Sequence, residues 1–201
     1  MADLIKSMEI LSFVEHNNNS SEVLHKNKGE TGLTFFGIYQ TAHPTLSIWN
    51  TINTYLKIEP DLKKCGKALV NNREIIQIVN SFYKREFWDK MKLDLVNSQK
   101  IADEMFIFGV NTHWKTSAKV AQTIIGFSEN DVDGFIGSKS LERLNKFDEK
   151  IFDIEFDKYE ILHYEDICRR KPHLKVNLKG WKNRAYFVEY KNQNIDFGVY
   201  A

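Results

Sequence analysis

The chain has 201 residues, 42% apolar and 13% aromatic, which is enough to bury the core of one domain or of two small lobes. Its 28 basic and 27 acidic side chains give a net charge of +1, which excludes the strongly basic composition typical of nucleic-acid-binding proteins. No stretch approaches the roughly 18 apolar residues of a membrane span. We therefore expect a globular protein with no nucleic-acid partner and no membrane span.

The first predicted element is a helix that ends near an acidic residue. Glu15 continues a stripe whose members, at spacings of four, three and four, share one helix face: Leu4, Met8, Leu11 and Glu15. The pattern predicts that Glu15 ends a buried stripe and is itself largely buried. The helix should stop at Asn17, Asn18 and Asn19, because asparagine tolerates left-handed backbone and its side chain competes for backbone hydrogen bonds.

The next stretches, SSEVLH and GLTFFGIY, flank the turn-prone KNKGE and predict one small β-hairpin. The remaining chain has mostly helical periodicity. The longest predicted helix, in DEKIFDIEFDKYEILHYEDICRRK, should end before Pro172, and LKGWKNRAYFVEYKN should form the last helix. A soft boundary near LDLVNSQK predicts two lobes, 1–97 and 98–201, packed into one compact unit.

Several motifs in the chain resemble those of one enzyme family in their order and spacing. A helix ending in Glu, then a hairpin carrying Thr in GLTFFGI, is the layout of the lysozyme-like fold. FYKREFWDKM, FGVNTHWKTSAKVAQTIIG, VDGFIG and LKGWKNR follow along the chain. Together they resemble glycoside hydrolase family 108, a group of phage-type N-acetylmuramidases, followed by its usual predicted peptidoglycan domain. The resemblance implies a mainly α (α+β) lysozyme-like helical fold, with 1–97 as the catalytic lobe and 98–201 as the peptidoglycan-domain lobe.

The resemblance implies catalytic roles for an acid and a threonine. Glu15 matches the family's catalytic acid, although His16 and Asn17 stand where the family has two glycines. Thr31 fits part of the threonine motif, but only Thr34 keeps the expected distance to the Gly-Ile pair that follows. Cleavage of a glycosidic bond needs a protonated carboxylic acid, and partial burial of Glu15 would raise its pKa toward neutrality. Thr34 is then expected to position the attacking water.

A second carboxylate and several sugar-binding side chains complete the expected site. Glu30 and Glu22 are the acids in the right region, and we favour Glu30 as the partner of Glu15. The residues expected to contact the substrate, each of which is also compatible with a packing role, are Tyr39, Tyr83, Trp88 and Asn111.

We expect neither a metal nor any other cofactor. The six histidines show no tight ligand spacing, and the calcium-like loop ENDVDGFIGSKS has Ser140 where a bidentate Glu is required. Cys65 and Cys168 are too far apart in sequence for a thiolate metal motif. The sequence therefore predicts an enzyme that works with side chains alone.

The expected partner is the glycan strand of peptidoglycan. Because the N-terminus lacks the apolar core of a secretory signal, we expect synthesis in the cytoplasm of a bacterium or phage-infected host. A holin or a secretion system would then assist release to the periplasmic cell wall. The alternative is a non-catalytic wall-binding or phage structural module whose active site has decayed.

Overall fold

A computed structural model of the protein describes residues 1–17, 19–27 and 29–187. Within them the fold is mainly helical with one small sheet, which confirms the predicted class. None of the described helices has the length and apolar character needed to cross a bilayer. The α-helices are α1 (Leu4–His16), α2 (Ile48–Ile58), α3 (Leu62–Leu69), α4 (Arg73–Tyr83), α5 (Gln99–Asn111), α6 (Trp114–Ile124), α7 (Ser138–Leu144), α8 (Glu149–Arg170) and α9 (Leu178–Phe187).

The chain forms two compact units. The sheet unit consists of residues 11–83, and the helical unit consists of residues 1–10 together with the described chain from residue 84 onward. This division does not fall at residue 97, where the sequence suggested a boundary. The assignment of separate functions to two lobes, and their packing into one unit, stay predictions.

The first ten residues belong to the helical unit because they are bonded to α5 and to the segment before it. The Ala2 amide donates to the Val96 carbonyl at 2.7 Å. The Ser7 hydroxyl donates to the Asp103 carboxylate at 2.5 Å, and the Gln99 side chain donates to the same carboxylate at 2.8 Å. The contacts of Ala2 and Ser7 span 94 and 96 residues of sequence and carry no local signal, so a boundary drawn from composition misses them.

The small sheet has three antiparallel strands rather than the two of a simple hairpin. The strands are β1 (Leu24–His25), β2 (Thr34–Phe35) and β3 (Ile38–Tyr39), and β2 lies between the other two. Thr34 pairs with His25 on one side and with Tyr39 on the other. Residues 26–33, which begin with the predicted turn KNKGE, connect β1 to β2, and a two-residue turn connects β2 to β3. The GLTFFGIY stretch therefore contributes two strands.

Helix ends follow the predicted signals. Asn17 has a left-handed φ of 50°, directly after α1 ends, while Asn18 lies outside the described residues. Helix α8 begins after Asp148, whose carboxylate accepts two backbone N–H groups, and ends two residues before Pro172. The expected extension of α9 beyond Phe187 lies outside the described residues.

One helix changes its winding in a way that the sequence did not indicate. Helix α4 continues into a five-residue π-helix, Lys84–Trp88, in which the Asp89 amide donates to the Lys84 carbonyl at 2.8 Å. A π-turn inserts one extra residue into the helical repeat. Trp88, at its end, is fully buried in the helical unit, where its edge meets Phe106.

Candidate active site

A groove of about 320 Å³ opens in the sheet unit between the last turn of α1 and the three-stranded sheet. It brings together four of the predicted site residues, although up to 24 residues separate them along the chain. These four are Glu15, Glu30, Thr34 and Tyr39. The short sheet and its connecting loops, rather than long secondary-structure elements, therefore supply most of the groove wall.

Glu15 lies at the end of α1, as predicted, but its side chain is exposed. The prediction of a largely buried acid is wrong because the helix extends past the core. Leu11, one turn earlier, is 3% exposed, and Ser7, another turn earlier, is fully buried. The next position on the same face is Glu15, which lies beyond the packed region at the rim of the groove.

Thr34 is buried in the central strand and lines the groove. Its two neighbouring strands fix its position, since Thr34 pairs in register with His25 and Tyr39. Thr31 is exposed and does not line the groove, and its hydroxyl lies 3.3 Å from that of Thr41. The geometry thus favours Thr34 over Thr31 as the threonine that faces a substrate.

Glu30 and Glu22 both line the groove, but they have different partners. The Glu22 carboxylate forms a 3.0 Å ion pair with Lys63, which lowers the pKa of this acid. The Glu30 carboxylate accepts a 3.1 Å hydrogen bond from the Asn27 amide and is half-buried. A neutral amide orients a carboxylate without neutralising its charge, so Glu30 is the better placed of the two to act on a water molecule.

The turn between β2 and β3 forms part of the groove floor and has an unusual backbone. Phe36 and Gly37 have φ values of 46° and 76°, the consecutive left-handed conformations of a tight hairpin turn. This conformation is strained for a bulky residue such as Phe36. The buried Tyr83 hydroxyl donates to the Phe36 carbonyl at 2.6 Å, and the Val23 carbonyl accepts from the Phe36 amide at 2.9 Å.

Tyr83 therefore supports the groove-lining turn without lining the groove itself. A Cβ atom on Gly37 would come within 2.9 Å of the Tyr83 hydroxyl, so the turn is closely packed on this ring. The predicted role of Tyr83 as a sugar-binding surface is wrong, because its side chain is buried. Its contact instead holds the turn that follows Thr34, which makes Tyr83 a candidate positioning residue.

His16 is a groove residue that the sequence analysis noted only as a departure from the family motif. Its ring and that of Phe36 form a T-shaped contact with centroids 5.4 Å apart, and its Nε2 atom lies 3.3 Å from the Ser12 hydroxyl. Burial lowers the pKa of this imidazole, against the opposing effect of the neighbouring Glu15 charge. A neutral ring therefore flanks the carboxylate at neutral pH. The sequence did offer one signal for this residue, since a large polar side chain stands beside the proposed acid where the family has a glycine.

Two predicted substrate contacts lie in the helical unit, outside this groove. Trp88 is fully buried and its indole N–H donates to the Asp94 carboxylate at 2.6 Å, so its predicted role as a sugar-binding surface is wrong. Asn111 lines a different pocket, where its amide donates to the Tyr164 hydroxyl at 2.8 Å. The described residues contain no cluster of three or more His, Cys, Asp or Glu side chains placed to hold a metal ion.

A family model supports the chemistry that the groove suggests. Residues 21–112 match the Glycosyl hydrolase 108 family. The matched segment covers slightly less than half of the chain and includes Thr34, Glu30 and Tyr39, while Glu15 precedes it. The match supports a glycoside hydrolase in this part of the chain. No curated protein has a matching sequence.

A solved structure has a similar fold over nearly the whole chain. The structure of Brucella abortus SagA is similar with a TM-score of 0.58, covering 92% of this chain and 90% of that chain. The two sequences are 18% identical over this region. The comparison supports the mainly helical, lysozyme-like fold over most of the chain, including most of the region that the family model leaves unmatched.

Proposed function

We propose that the protein is a peptidoglycan hydrolase, an N-acetylmuramidase that cleaves the bond between N-acetylmuramic acid and N-acetylglucosamine. The observation that carries the proposal is the groove itself, which gathers Glu15, Glu30, Thr34 and Tyr39 in one cavity. The family match, which covers most of the groove residues, supports hydrolysis of a glycosidic bond as the reaction.

In the proposed mechanism, Glu15 protonates the glycosidic oxygen as the bond to the anomeric carbon breaks. The acid is exposed in the free protein, and in this proposal the bound substrate covers it. A glycan strand in the groove displaces water from the carboxyl group, and loss of hydration disfavours its anionic form. The neutral His16 ring and Phe36 supply the remaining low-polarity wall.

Water attacks from the opposite side of the sugar ring in this proposal. The Thr34 hydroxyl holds the water, and Glu30, oriented by Asn27, takes up its proton. The Tyr39 ring, half-exposed at the groove edge, offers a flat surface to a neighbouring sugar. This direct attack by water inverts the anomeric centre and needs carboxyl groups roughly 6.5 to 9.5 Å apart in the substrate complex. A separation of roughly 5 to 5.5 Å would instead make the second carboxylate the nucleophile of a retaining enzyme.

The exposure of Glu15 favours one alternative, a wall-binding module that has the fold without the activity. Digestion of purified peptidoglycan separates the two functions. The enzyme should release fragments with new reducing ends at N-acetylmuramic acid, identified by borohydride reduction and mass spectrometry. Binding to the peptidoglycan with no new reducing ends would support the module, and new ends at N-acetylglucosamine would contradict the bond assignment.

The biological setting is part of the same proposal. A prophage endolysin, or a muramidase that opens the wall for export of another protein, would act on the periplasmic wall after assisted release from the cytoplasm. Expression with and without a holin, followed by culture turbidity, tests the first role. Lysis that depends on the holin is the expected result for an endolysin.

A further inference from the structure

Helix α8 presents large apolar side chains on its outer face, roughly opposite the buried carboxylates that pack toward α5. Four such side chains lie between residues 151 and 162, each 37% to 61% exposed: Ile151, Ile154, Tyr159 and Leu162. A surface helix usually turns its charged residues to water and its apolar residues to the core. A contiguous exposed apolar face of this kind indicates a surface that another molecule covers.

The middle of this outer face is a single line of four residues at spacings of four, three and four: Ile151, Glu155, Lys158 and Leu162. The line is apolar at both ends and has one acid and one base at its centre. The Lys158 ammonium forms a 2.6 Å ion pair with the Glu155 carboxylate of the same helix. Because an ammonium has three N–H donors and a carboxylate has two acceptor oxygens, this pair can still bond a second pair of the same kind.

This line of residues is complementary to its own reverse. If a second α8 lies antiparallel on the first, with the centres of the two lines together, Ile151 contacts Leu162 of the second copy. Glu155 then contacts Lys158 of the second copy, and each contact occurs twice, as two-fold symmetry requires. A parallel pair would instead place Glu155 against Glu155 and Lys158 against Lys158. The charges therefore favour one orientation of the two helices.

The surroundings of the line are compatible with the same antiparallel pair. Ile154 lies along one edge of the line and Tyr159 along the other, so two-fold symmetry brings each beside its own counterpart. At the ends, Asp148 would come opposite Glu165 of the second copy. Both of these carboxylates are already compensated, because Asp148 accepts two backbone N–H groups and Glu165 forms a 2.6 Å ion pair with Lys182.

We propose that the outer face of α8 binds a second copy of this chain, as an antiparallel two-fold pair of helices. The partner is identified by the complementary charges at the centre of the line, since neither a membrane nor an unrelated protein requires a surface that matches its own reverse. One helix face is smaller than the standard protein interface of roughly 1,200 to 2,000 Å². We therefore expect a weak dimer, with single chains at low micromolar concentration and dimers near millimolar concentration.

The test is sedimentation equilibrium of the full chain, whose average mass should rise with concentration from 23.6 kDa toward twice that value. Lys158→Glu gathers four acids at the centre of the pair and should weaken the dimer about 10- to 100-fold, and Glu155→Lys gathers four bases with the same result. A mixture of the two variants should dimerise again, because every acid then faces a base. A mass of one chain at millimolar concentration, or a mixture that stays monomeric, would overturn the inference.

A control and a cross-link locate the contact on α8. Lys146→Glu breaks another exposed ion pair, with Glu142, and should dimerise like the parent. Ile151→Cys and Leu162→Cys are made separately in chains that also carry Cys168→Ser. Oxidation of their mixture should give a disulfide-linked dimer, whereas each variant alone should give little. As much cross-linking from either variant alone as from the mixture would contradict the antiparallel arrangement.

A further variant separates a second copy from a membrane as the molecule that covers this face. Leu162→Glu places a charge at an apolar end of the line, at an exposed position, and should abolish the dimer. The wild-type chain should not bind vesicles of phosphatidylcholine. Vesicle binding that Leu162→Glu abolishes, by a chain that stays monomeric at millimolar concentration, would assign the face to a membrane and overturn the proposal. Neither result depends on the reaction in the groove.

Discussion

Two helical stripes in this protein have the same residue spacing but differ in burial. The apolar stripe of α1 and the polar stripe of α8 both run at intervals of four, three and four residues: Leu4, Met8, Leu11 and Glu15 in the first, and Asp153, Asp157, Glu160 and Tyr164 in the second. The α1 stripe ends in an exposed acid, whereas every member of the α8 stripe is buried. Spacing identifies one face of a helix, but the neighbouring elements decide whether that face meets water.

The buried acids form a cluster with α5. Glu104, on α5, is 1% exposed, and burial together with the charges of Glu160, Asp157 and Asp153 raises its pKa well above the usual range. Burial and Asp157 raise the pKa of Glu160 likewise, against the opposing charge of Arg184. The environment that we expected around the proposed catalytic acid therefore occurs around these acids instead.

The largest expected effect tests the exposed end of this comparison. Glu15→Gln keeps the size of the side chain and removes its proton, so lysis should fall by about 10²- to 10⁴-fold while the thermal unfolding midpoint stays unchanged. Glu9→Gln, on the same helix but away from the groove, is the control and should lyse normally. Lysis by Glu15→Gln at more than a tenth of the wild-type rate would show that an exposed acid at this helix end is not the proton donor.

The next effect concerns the water side of the groove. Loss of one well-placed polar contact should make Thr34→Ala about 10- to 1000-fold slower than wild type, whereas Thr31→Ala should be close to wild type. Thr34→Ser keeps the hydroxyl and should recover most of the rate. The measurement is the release of reducing ends from peptidoglycan. A slower Thr31→Ala than Thr34→Ala would mean that the threonine motif was assigned to the wrong residue.

A smaller effect tests whether the strained turn positions Thr34. Tyr83→Phe removes the hydrogen bond to the Phe36 carbonyl, which contributes about 0.5 to 1.5 kcal/mol, and we expect kcat to fall about 3- to 10-fold with little change in KM. Tyr55→Phe, on α2, is the matched control. A change in KM alone would indicate a direct substrate contact instead.

The smallest expected effect concerns the buried acids and is a change in the free energy of unfolding with pH. A carboxyl whose pKa is raised by folding stabilises the fold below its unfolded pKa, near 4.5, and this contribution is lost as the pH rises through its folded pKa. Glu104→Gln should therefore match wild type near pH 4 and be more stable at pH 7 to 8. The wild-type deficit should grow by up to about 1.4 kcal/mol per pH unit within the titration range.

Glu155→Gln, at a partly exposed position on α8, is the control for this pH series, measured by denaturant unfolding. Its free energy of unfolding should run parallel to that of wild type at every pH. If Glu104→Gln also ran parallel to wild type, the buried cluster would not be the source of the pH dependence. Asp103, whose pKa burial raises to about 6, provides a second point, because Asp103→Asn should gain stability between pH 4 and pH 6.

The sequence predicted the elements of the groove better than the environment of its residues. The end of α1, the strands and the choice of Thr34 followed from local patterns: a triple asparagine, short β-branched and aromatic runs, and a threonine at a fixed distance from Gly37. The exposure of Glu15 depends instead on where the core stops, which no local pattern records.

The missed features share a different cause. Trp88 was assigned to a sugar surface because aromatic residues are common in such sites, but a π-turn and Asp94 hold it in the core. The carboxylates of α8 had a visible signal, since their helical spacing matches that of an apolar stripe. Charged residues at that spacing usually indicate a solvated face, and the packing of α8 against α5, α6 and α9 reverses this interpretation.

The π-helix at Lys84–Trp88 also limits how this chain can vary in length during evolution. Deletion of any one residue there would restore the ordinary repeat and move the Trp88 side chain by about 100° around the helix axis. Tyr83 would keep its place under the turn, while Trp88 would leave the cavity that it fills. Insertions and deletions should therefore be absent from this segment in functional homologues, whereas we expect substitutions at exposed Arg85 to be tolerated.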